Sequence, residues 1–294
     1  MSTHVPLRVA PPVEHVSIKA KALAMLEVSA VFVVVLLTIF YTTIATQQWQ
    51  QALGYPFFVY LGVILIPVLW LLITRRKLAD FGITFVDIKY HLSAAMTAFL
   101  PMALSLAVLA FLPYRLWYGA LIVSAIQVGV LWWIARAMTG KPNVNSGVAT
   151  IVIASVMFAA LAVMRDAYPG LLNGIKSLVY YLLFLGLGEE LLYRGFILTR
   201  LNQVFEKPYQ FFGVRWGLGV IIAALFFGLF HVIGNGYDPI SRIFAPEWWW
   251  GFWTVFAALP LSYVREKTGS ILAPTILHGL PQGLMFFFLT GFTG

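Results

Sequence analysis

The chain contains no cysteine among its 294 residues, and only 10% of them are charged. The absence of cysteine excludes disulfide bonds, thiolate metal ligands and a cysteine nucleophile. The scarcity of charge excludes a disordered chain, a coiled coil and an ordinary soluble enzyme, because soluble domains carry about 25% charged residues. What the chain does have is apolar side chains, at 61% of positions. This composition predicts a protein that crosses a membrane several times.

Nine apolar runs are long enough for transmembrane helices, which need about 20 mostly apolar residues. They begin near Leu23, Pro56, Leu92, Leu116, Gly147, Leu171, Trp216, Trp248 and Ile271. Lipid offers no partner to unpaired backbone groups, so such runs are read as helices, and the alternating pattern of barrel strands is absent. We therefore predict an all-α, polytopic transmembrane helical bundle with eight to nine spans and a buried polar cavity.

The net charge of +8 is spread over alternate loops, which argues for membrane orientation and against a nucleic-acid partner. One set of loops holds 14 Lys and Arg residues, in the N-terminal arm and at 75–89, 136–141, 200–215 and 265–267. The opposite set holds three arginines and Lys176. The positive-inside rule then predicts an integral, multi-pass protein, surrounded by membrane lipid, whose N-terminus is cytoplasmic.

The chain divides into two parts by where polar residues enter the apolar runs. Residues 1–170 form predicted N-terminal transmembrane helices preceded by a cytoplasmic arm, and residues 171–294 form a predicted transmembrane core that carries these polar residues. Between spans of the second part, residues 200–215 mix aromatic and basic side chains. This mixture predicts an interfacial helix on the cytoplasmic face.

Two acids and a base occur in one apolar helix, within residues 188–195. Ionisable groups inside a bilayer cost at least a few kcal/mol each, so they are functional candidates. Glu190 and Arg194 are four residues apart on one helix face and can pair. Glu189 is rotated by about 100° from Glu190, which leaves it without a local partner and suited to proton transfer. Alternatively, both acids pair with Arg194 and a neighbouring helix only to hold the bundle together.

Two further apolar runs each carry a pair of candidate residues four positions apart, and each pair includes a histidine. Phe227 and His231 are four apart in one run, and His278 and Gln282 are four apart in the last run. We counted the depth of each polar residue from the nearest basic residue of the cytoplasmic set. By this count, Glu189, His231, His278 and Gln282 lie about 16–24 Å into the membrane. They can therefore meet near its middle.

A carboxylate, two histidines and an amide around a cavity indicate hydrolysis of a peptide bond inside the membrane. Glu189 would act as general base on a water that His231 orients and polarises. His278 and Gln282 would donate hydrogen bonds to the developing oxyanion. A catalytic zinc held by Glu189, His231 and His278 is the alternative, although the His-Glu-x-x-His pattern is absent and we favour a site without a cofactor.

The polar residues of the second part resemble the motifs of the CPBP family of intramembrane proteases, which includes the CAAX proteases. In the family's order, the three motifs correspond to Glu189, Glu190 and Arg194, to Phe227 and His231, and to His278 and Gln282. The third motif usually ends in Asn, and the amide of Gln282 reaches about one methylene further. The segment 78–83 also resembles a loop found in many members, and the motif region covers about residues 171–294.

The resemblance implies a helical bundle whose cavity opens toward the cytoplasmic side. It also implies a glutamic-type endopeptidase, with Glu189 and His231 acting on water and with His278 and the amide of the third motif as oxyanion donors. The expected partner is a membrane-anchored peptide or protein, for example a prenylated, leader-bearing or sorting-tail protein. A proton-coupled transporter and a non-catalytic scaffold or immunity protein are the alternatives. Substrate identity and oligomeric state are left open.

Overall fold

A computed structural model describes residues 16–140, 144–164 and 170–289, and helices make up most of this part of the chain. The helices are α1 (Ile18–Ala45), α2 (Gln47–Leu53), α3 (Phe57–Ile73), α4 (Ile88–Leu109), α5 (Trp117–Ala137), α6 (Val144–Met164), α7 (Leu171–Asn202), α8 (Leu218–Gly234), α9 (Trp248–Thr268) and α10 (Leu272–Leu289). The polytopic helical architecture predicted from composition is confirmed. The N-terminal arm before residue 16, together with Lys141 and Arg165 of the charge count, lies outside the described residues.

Six helices in the described ranges are long and apolar enough to cross a membrane: α1, α4, α5, α6, α7 and α10. The pair α2 and α3, bent by 114°, would make a seventh span. Helix α8 is apolar but has only 17 residues, and the tryptophans and basic last turn of α9 make that helix less apolar. The eight to nine spans expected from sequence are therefore not confirmed.

Two apolar cores hold the bundle together, and each joins helices from both sides of residue 170. One core packs α4, α5 and α6 against α9 and α10. Along α4, the buried alanines Ala94, Ala98 and Ala103 allow the neighbouring helices to approach closely. The other core packs α1 and α3 against α7 and α8, around buried side chains such as Phe196 and Leu192. As a result, helices of the first part surround the polar residues of the second.

The segment after α7 is a hairpin, so the prediction of an interfacial helix within residues 200–215 is wrong. Strand β1 (Tyr209–Phe211) pairs antiparallel with β2 (Val214–Trp216). The two loop residues both have positive φ, 44° at Phe212 and 80° at Gly213. A two-residue loop of this kind matches the right-handed twist of the paired strands, and Gly at its second position allows it. A second small hairpin, β3 (Tyr237–Asp238) and β4 (Ile243–Phe244), connects α8 to α9.

Helix α7 changes its winding around the two acids. The turn Leu187–Glu190 is α-helical, and the segments on either side, Tyr180–Gly186 and Leu191–Ile197, are π-helical. π-Helical turns are rare and occur often at functional sites, because the wider winding redirects the side chains that follow.

A close approach of α7 and α10 lies beside this turn. A Cβ at Gly279 would lie 2.6 Å from the Cα of Leu182, and a Cβ at Gly186 would lie 3.0 Å from the Cα of Gly279. Only glycine at both positions allows the two backbones to touch. The residue before Gly279 is His278, which this contact brings against the acids of α7.

Candidate active site

Glu190 is the central acceptor of a buried network on α7 and is fully shielded from solvent. Its Oε1 accepts hydrogen bonds from Arg194 Nη1 at 2.9 Å and from His278 Nδ1 at 2.8 Å. The Nη2 of Arg194 donates to the carbonyl oxygen of Ala258 at 3.1 Å. The ion pair expected from the four-residue spacing is therefore present, and it also fixes α9 and α10 against α7. Buried charges require this pairing and hydrogen bonding.

Glu189 takes its partners from other helices, as its position on the face away from Arg194 implies. Its Oε1 accepts a hydrogen bond from the hydroxyl of Tyr60 on α3 at 3.0 Å. Its Oε2 lies 3.6 Å from Nε2 of His278 and has no hydrogen-bond partner within the described residues. The side chain is 2% exposed. One carboxylate oxygen is thus held by the protein while the other is left for another group.

His231 and Phe227 form one unit on α8. The Nδ1 of His231 lies 2.8 Å from the carbonyl oxygen of Phe227. A carbonyl oxygen only accepts, so Nδ1 carries the proton and Nε2 of the neutral ring has a lone pair. The ring of Phe227 lies 4.5 Å from the imidazole of His231 and 4.7 Å from the guanidinium carbon of Arg194. The phenylalanine therefore covers the buried cation and orients the histidine one turn later.

A pocket of about 500 Å³ brings the predicted catalytic side chains together. Glu189, His231, His278 and Gln282 all line it. Gln282 is partly exposed and lies one helical turn beyond His278 on α10. Glu190 and Arg194 do not line the pocket and lie behind Glu189, whereas Phe227 forms part of its wall. The rest of the lining is mostly apolar, with Ser105, Gln127 and Thr254 among its further polar side chains.

The pocket extends toward the end of the bundle that is opposite to the basic ends of α7 and α9. Its exposed lining residue is Asn235, directly after α8, and Trp250 near the start of α9 lies on the same side. These chain ends are opposite to the basic ends of α7 and α9, where Arg200 and Arg265 lie. The buried ion pair of Glu190 and Arg194 follows Glu189 in the direction of the basic end.

The residues proposed as zinc ligands do not form a metal site as they stand. Across the described ranges, no group of three His, Asp or Glu side chains is placed to hold a metal ion. The Nδ1 atoms of both histidines are engaged, His231 with a carbonyl oxygen and His278 with Glu190. The Nε2 of His278 faces the carboxylate of Glu189. As the side chains stand, neither Nδ1 atom is available to bind a cation.

Tyr60 is the site residue that sequence reasoning missed. It lies on α3, far outside the three motifs, in a run that the sequence characterises only as apolar. A tyrosine inside a membrane span does carry a signal, because a buried phenol usually finds a hydrogen-bond partner. The sequence offers no means to decide that this partner is Glu189, which is 129 positions away.

The fold and the site define a polytopic helical membrane protein with a carboxylate–histidine centre in a pocket inside the bundle. Residues 171–283 match the family described as Rce1-like, type II CAAX prenyl endopeptidase Rce1-like. The C-terminal region of the chain is therefore similar to CAAX proteases, and this similarity indicates a protease. The match contains all three motifs. No curated protein and no solved structure matches the chain.

Proposed function

We propose that the protein is a glutamic-type intramembrane endopeptidase that hydrolyses a peptide bond of a membrane-associated protein. The observation that supports this most is the environment of Glu189. The side chain lines the pocket; one carboxylate oxygen is fixed by Tyr60, and the other is buried without a hydrogen-bond partner from the described chain. A general base needs this combination of a fixed position and an unoccupied oxygen.

Charge balance determines how His278 participates. The layer contains two carboxylates, Glu189 and Glu190, and one permanent cation, Arg194. A second positive charge makes the layer neutral, and His278 is the group that contacts both acids. We therefore assign His278 as the imidazolium, with Nδ1–H donating to Glu190 and Nε2–H directed toward Glu189 and the pocket. A buried layer with net charge would be much more costly.

In the proposed reaction, a water binds between Oε2 of Glu189 and Nε2 of His231. The Nε2 of His231 accepts a hydrogen bond from this water, because Nδ1 is already committed as a donor. Glu189 takes a proton from the water while the water oxygen bonds to the carbonyl carbon of the substrate. The same carboxyl group then gives that proton to the leaving amine as the C–N bond breaks.

The developing oxyanion needs donors on the opposite side of the carbonyl group. We assign this role to His278 Nε2–H and the amide of Gln282, because both residues line the pocket from consecutive turns of α10. Such donors contribute most where water is excluded, and removing one typically lowers kcat by about 10²–10³-fold. Glu190 and Arg194 act as positioning residues that hold the imidazole of His278.

The substrate class follows from the apolar walls and from the membrane. A peptide segment that is apolar or lipidated, and anchored in the bilayer, fits a mostly apolar pocket inside a helical bundle. We also propose a cytoplasmic N-terminus, from the excess of Lys and Arg in alternate loops. With that orientation the exposed rim at Asn235 faces the non-cytoplasmic side of the membrane.

The test is proteolysis by the detergent-purified protein of a panel of membrane-anchored peptides, some carrying an isoprenyl group. Wild type is compared with Glu189→Gln and His231→Ala, and each protein is assayed with and without a chelator. Glu206→Gln and His91→Ala are matched controls, because Glu206 is exposed after α7 and His91 is buried at the start of α4 away from the pocket.

We expect cleavage by wild type and by both controls, and none by Glu189→Gln or His231→Ala, in all cases regardless of chelator. Loss of cleavage with chelator and its recovery with zinc would make Glu189 a ligand rather than the base. Cleavage by Glu189→Gln at the wild-type rate would refute the mechanism. If wild type cleaves no peptide in the panel, the scaffold and transporter alternatives become the hypotheses to test.

A further inference from the structure

Three buried side-chain atoms on residues that line the pocket have no hydrogen-bond partner in the described part of the chain. One is Oε2 of Glu189, which the proposed reaction uses. The other two are Oε1 of Gln127 on α5 and the indole Nε1 of Trp253 on α9. Gln127 is 4% exposed and Trp253 is 8% exposed. Neither residue takes part in the proposed chemistry.

Leaving these two atoms unpaired is costly, because a buried polar group without a partner loses its hydration and gains nothing in return. The cost is high for Gln127, which lies at the middle of α5. Two other hydroxyl groups on pocket-lining residues avoid this cost by donating hydrogen bonds within their own helices. Ser105 donates to the carbonyl oxygen of Met102, and Thr254 donates to that of Gly251. Gln127 and Trp253 thus differ from these two hydroxyls of the same pocket, which have partners within their own helices.

The two residues belong to one wall of the pocket. Trp253 packs against Ala120 and Val123 of α5, and Val123 is one helical turn before Gln127. Gln127 Oε1 is an acceptor, and Trp253 Nε1–H is a donor. Together they offer the complement of a peptide unit, which presents one N–H and one C=O.

We propose that Gln127 and Trp253 form a subsite that binds the backbone of the peptide substrate beside the scissile bond. Gln127 Oε1 accepts a substrate N–H, and the indole N–H of Trp253 donates to a substrate carbonyl oxygen. The effect of this subsite on cleavage rests on the proposed function, whereas peptide binding by the subsite does not. Gln127 lies outside residues 171–283, so the N-terminal helices contribute to substrate recognition.

Binding is measured first, so that it is independent of cleavage. Full-length Glu189→Gln protein in detergent is titrated with fluorescent alkyl-anchored peptides from the panel. The same peptides are prepared with single backbone amides replaced by esters, which removes one N–H at a time. Gln127→Leu and Trp253→Phe are added to the Glu189→Gln background. Ser124→Ala is the matched control on α5, because its hydroxyl donates to Ala120 within the helix and it does not line the pocket.

We expect Gln127→Leu and Trp253→Phe each to weaken peptide binding by about tenfold, the typical effect of one buried hydrogen bond. One ester position should weaken binding to the Glu189→Gln protein by a similar factor and have no further effect in Gln127→Leu. That non-additivity shows a direct contact, whereas a loss of packing would be additive. In proteins with Glu189 intact, the same substitutions should raise KM and leave kcat nearly unchanged.

Equal binding by all variants would overturn the subsite and mean that only water occupies these atoms. Equal sensitivity to the ester in Gln127→Leu would also overturn it, because the contact would lie elsewhere. Failure of every peptide to bind would reject the pocket wall as a peptide site. If binding depends on Gln127 but no peptide is cleaved by wild type, the subsite stands and the proposed hydrolysis fails.

Discussion

Tyr60 is expected to position the catalytic carboxylate, and the substitution Tyr60→Phe removes only its hydroxyl. The lost contact is the 3.0 Å hydrogen bond to Oε1 of Glu189. The ring packing is retained, including the edge-on contact with Tyr180 at 5.5 Å. The variant therefore removes the hydroxyl, which also interacts with that of Tyr180, without opening a cavity in the fold.

The magnitude follows from the charge of the acceptor. A hydrogen bond to a charged group contributes about 1.5–3 kcal/mol, roughly twice a neutral one. If that energy serves to hold Glu189 for proton abstraction, its loss lowers kcat by about 10- to 150-fold. KM should change little, because the bond is made to Glu189 and not to the substrate.

The assay is steady-state cleavage of the best peptide in the panel, together with thermal unfolding in the same detergent. Tyr55→Phe is the matched control. The hydroxyl of Tyr55 is hydrogen-bonded to Ser177 at 2.6 Å and its ring stacks on the same Tyr180, but it does not reach Glu189. Both variants should lose about 1 kcal/mol of stability or somewhat more, and only Tyr60→Phe should lose activity. A wild-type kcat in Tyr60→Phe, or equal losses in both variants, would refute the positioning role.

The buried network, the helix contact and the orientation each yield a further prediction. Arg194→Met removes one of the two partners of the buried Glu190 carboxylate, leaves only His278 beside it, and should destabilise the protein by about 3–5 kcal/mol, measured by thermal unfolding; an unchanged unfolding midpoint would contradict the ion pair. Gly279→Ala should cost about 1–3 kcal/mol and most of the activity, because the added Cβ forces α7 and α10 apart; full activity would show that the contact is not needed. The chain has no native cysteine, so Asn235→Cys and Gln203→Cys can be labelled singly with an impermeant maleimide in intact cells. Only Asn235→Cys should react, and the reverse result would invert the orientation.

Local patterns in the sequence account for much of the site. The four-residue spacing of Glu190 and Arg194 is a property of any helix, so the ion pair follows from the sequence once the run is recognised as helical. The same applies to Phe227 and His231, because the Nδ1 of the histidine binds the carbonyl of the residue one turn before it. Hydropathy likewise predicts a polytopic helical bundle, since lipid admits few alternatives.

Contacts between distant helices were decided only by the tertiary structure. Tyr60 reaches Glu189 across 129 positions, and His278 reaches Glu190 across 88 positions. No periodicity encodes these contacts, because they depend on which helices pack together and on the rotation that α7 acquires through its π-helical turns. The fold also decides that the pocket lies away from the basic end of the bundle and that Gln127 from the first part of the chain lines its wall.

In one segment, the backbone conformation of a turn decided the structure, and the composition of the segment did not. Residues 200–215 have the aromatic and basic composition of an interfacial helix, yet Gly213 allows the two-residue turn of a hairpin. The sequence by itself thus determined the membrane environment, the all-helical fold class and the side-chain contacts within one helix, because these depend on residues that are close along the chain. The tertiary structure decided the partners of Glu189 and the walls of the pocket, because those depend on how separate helices pack.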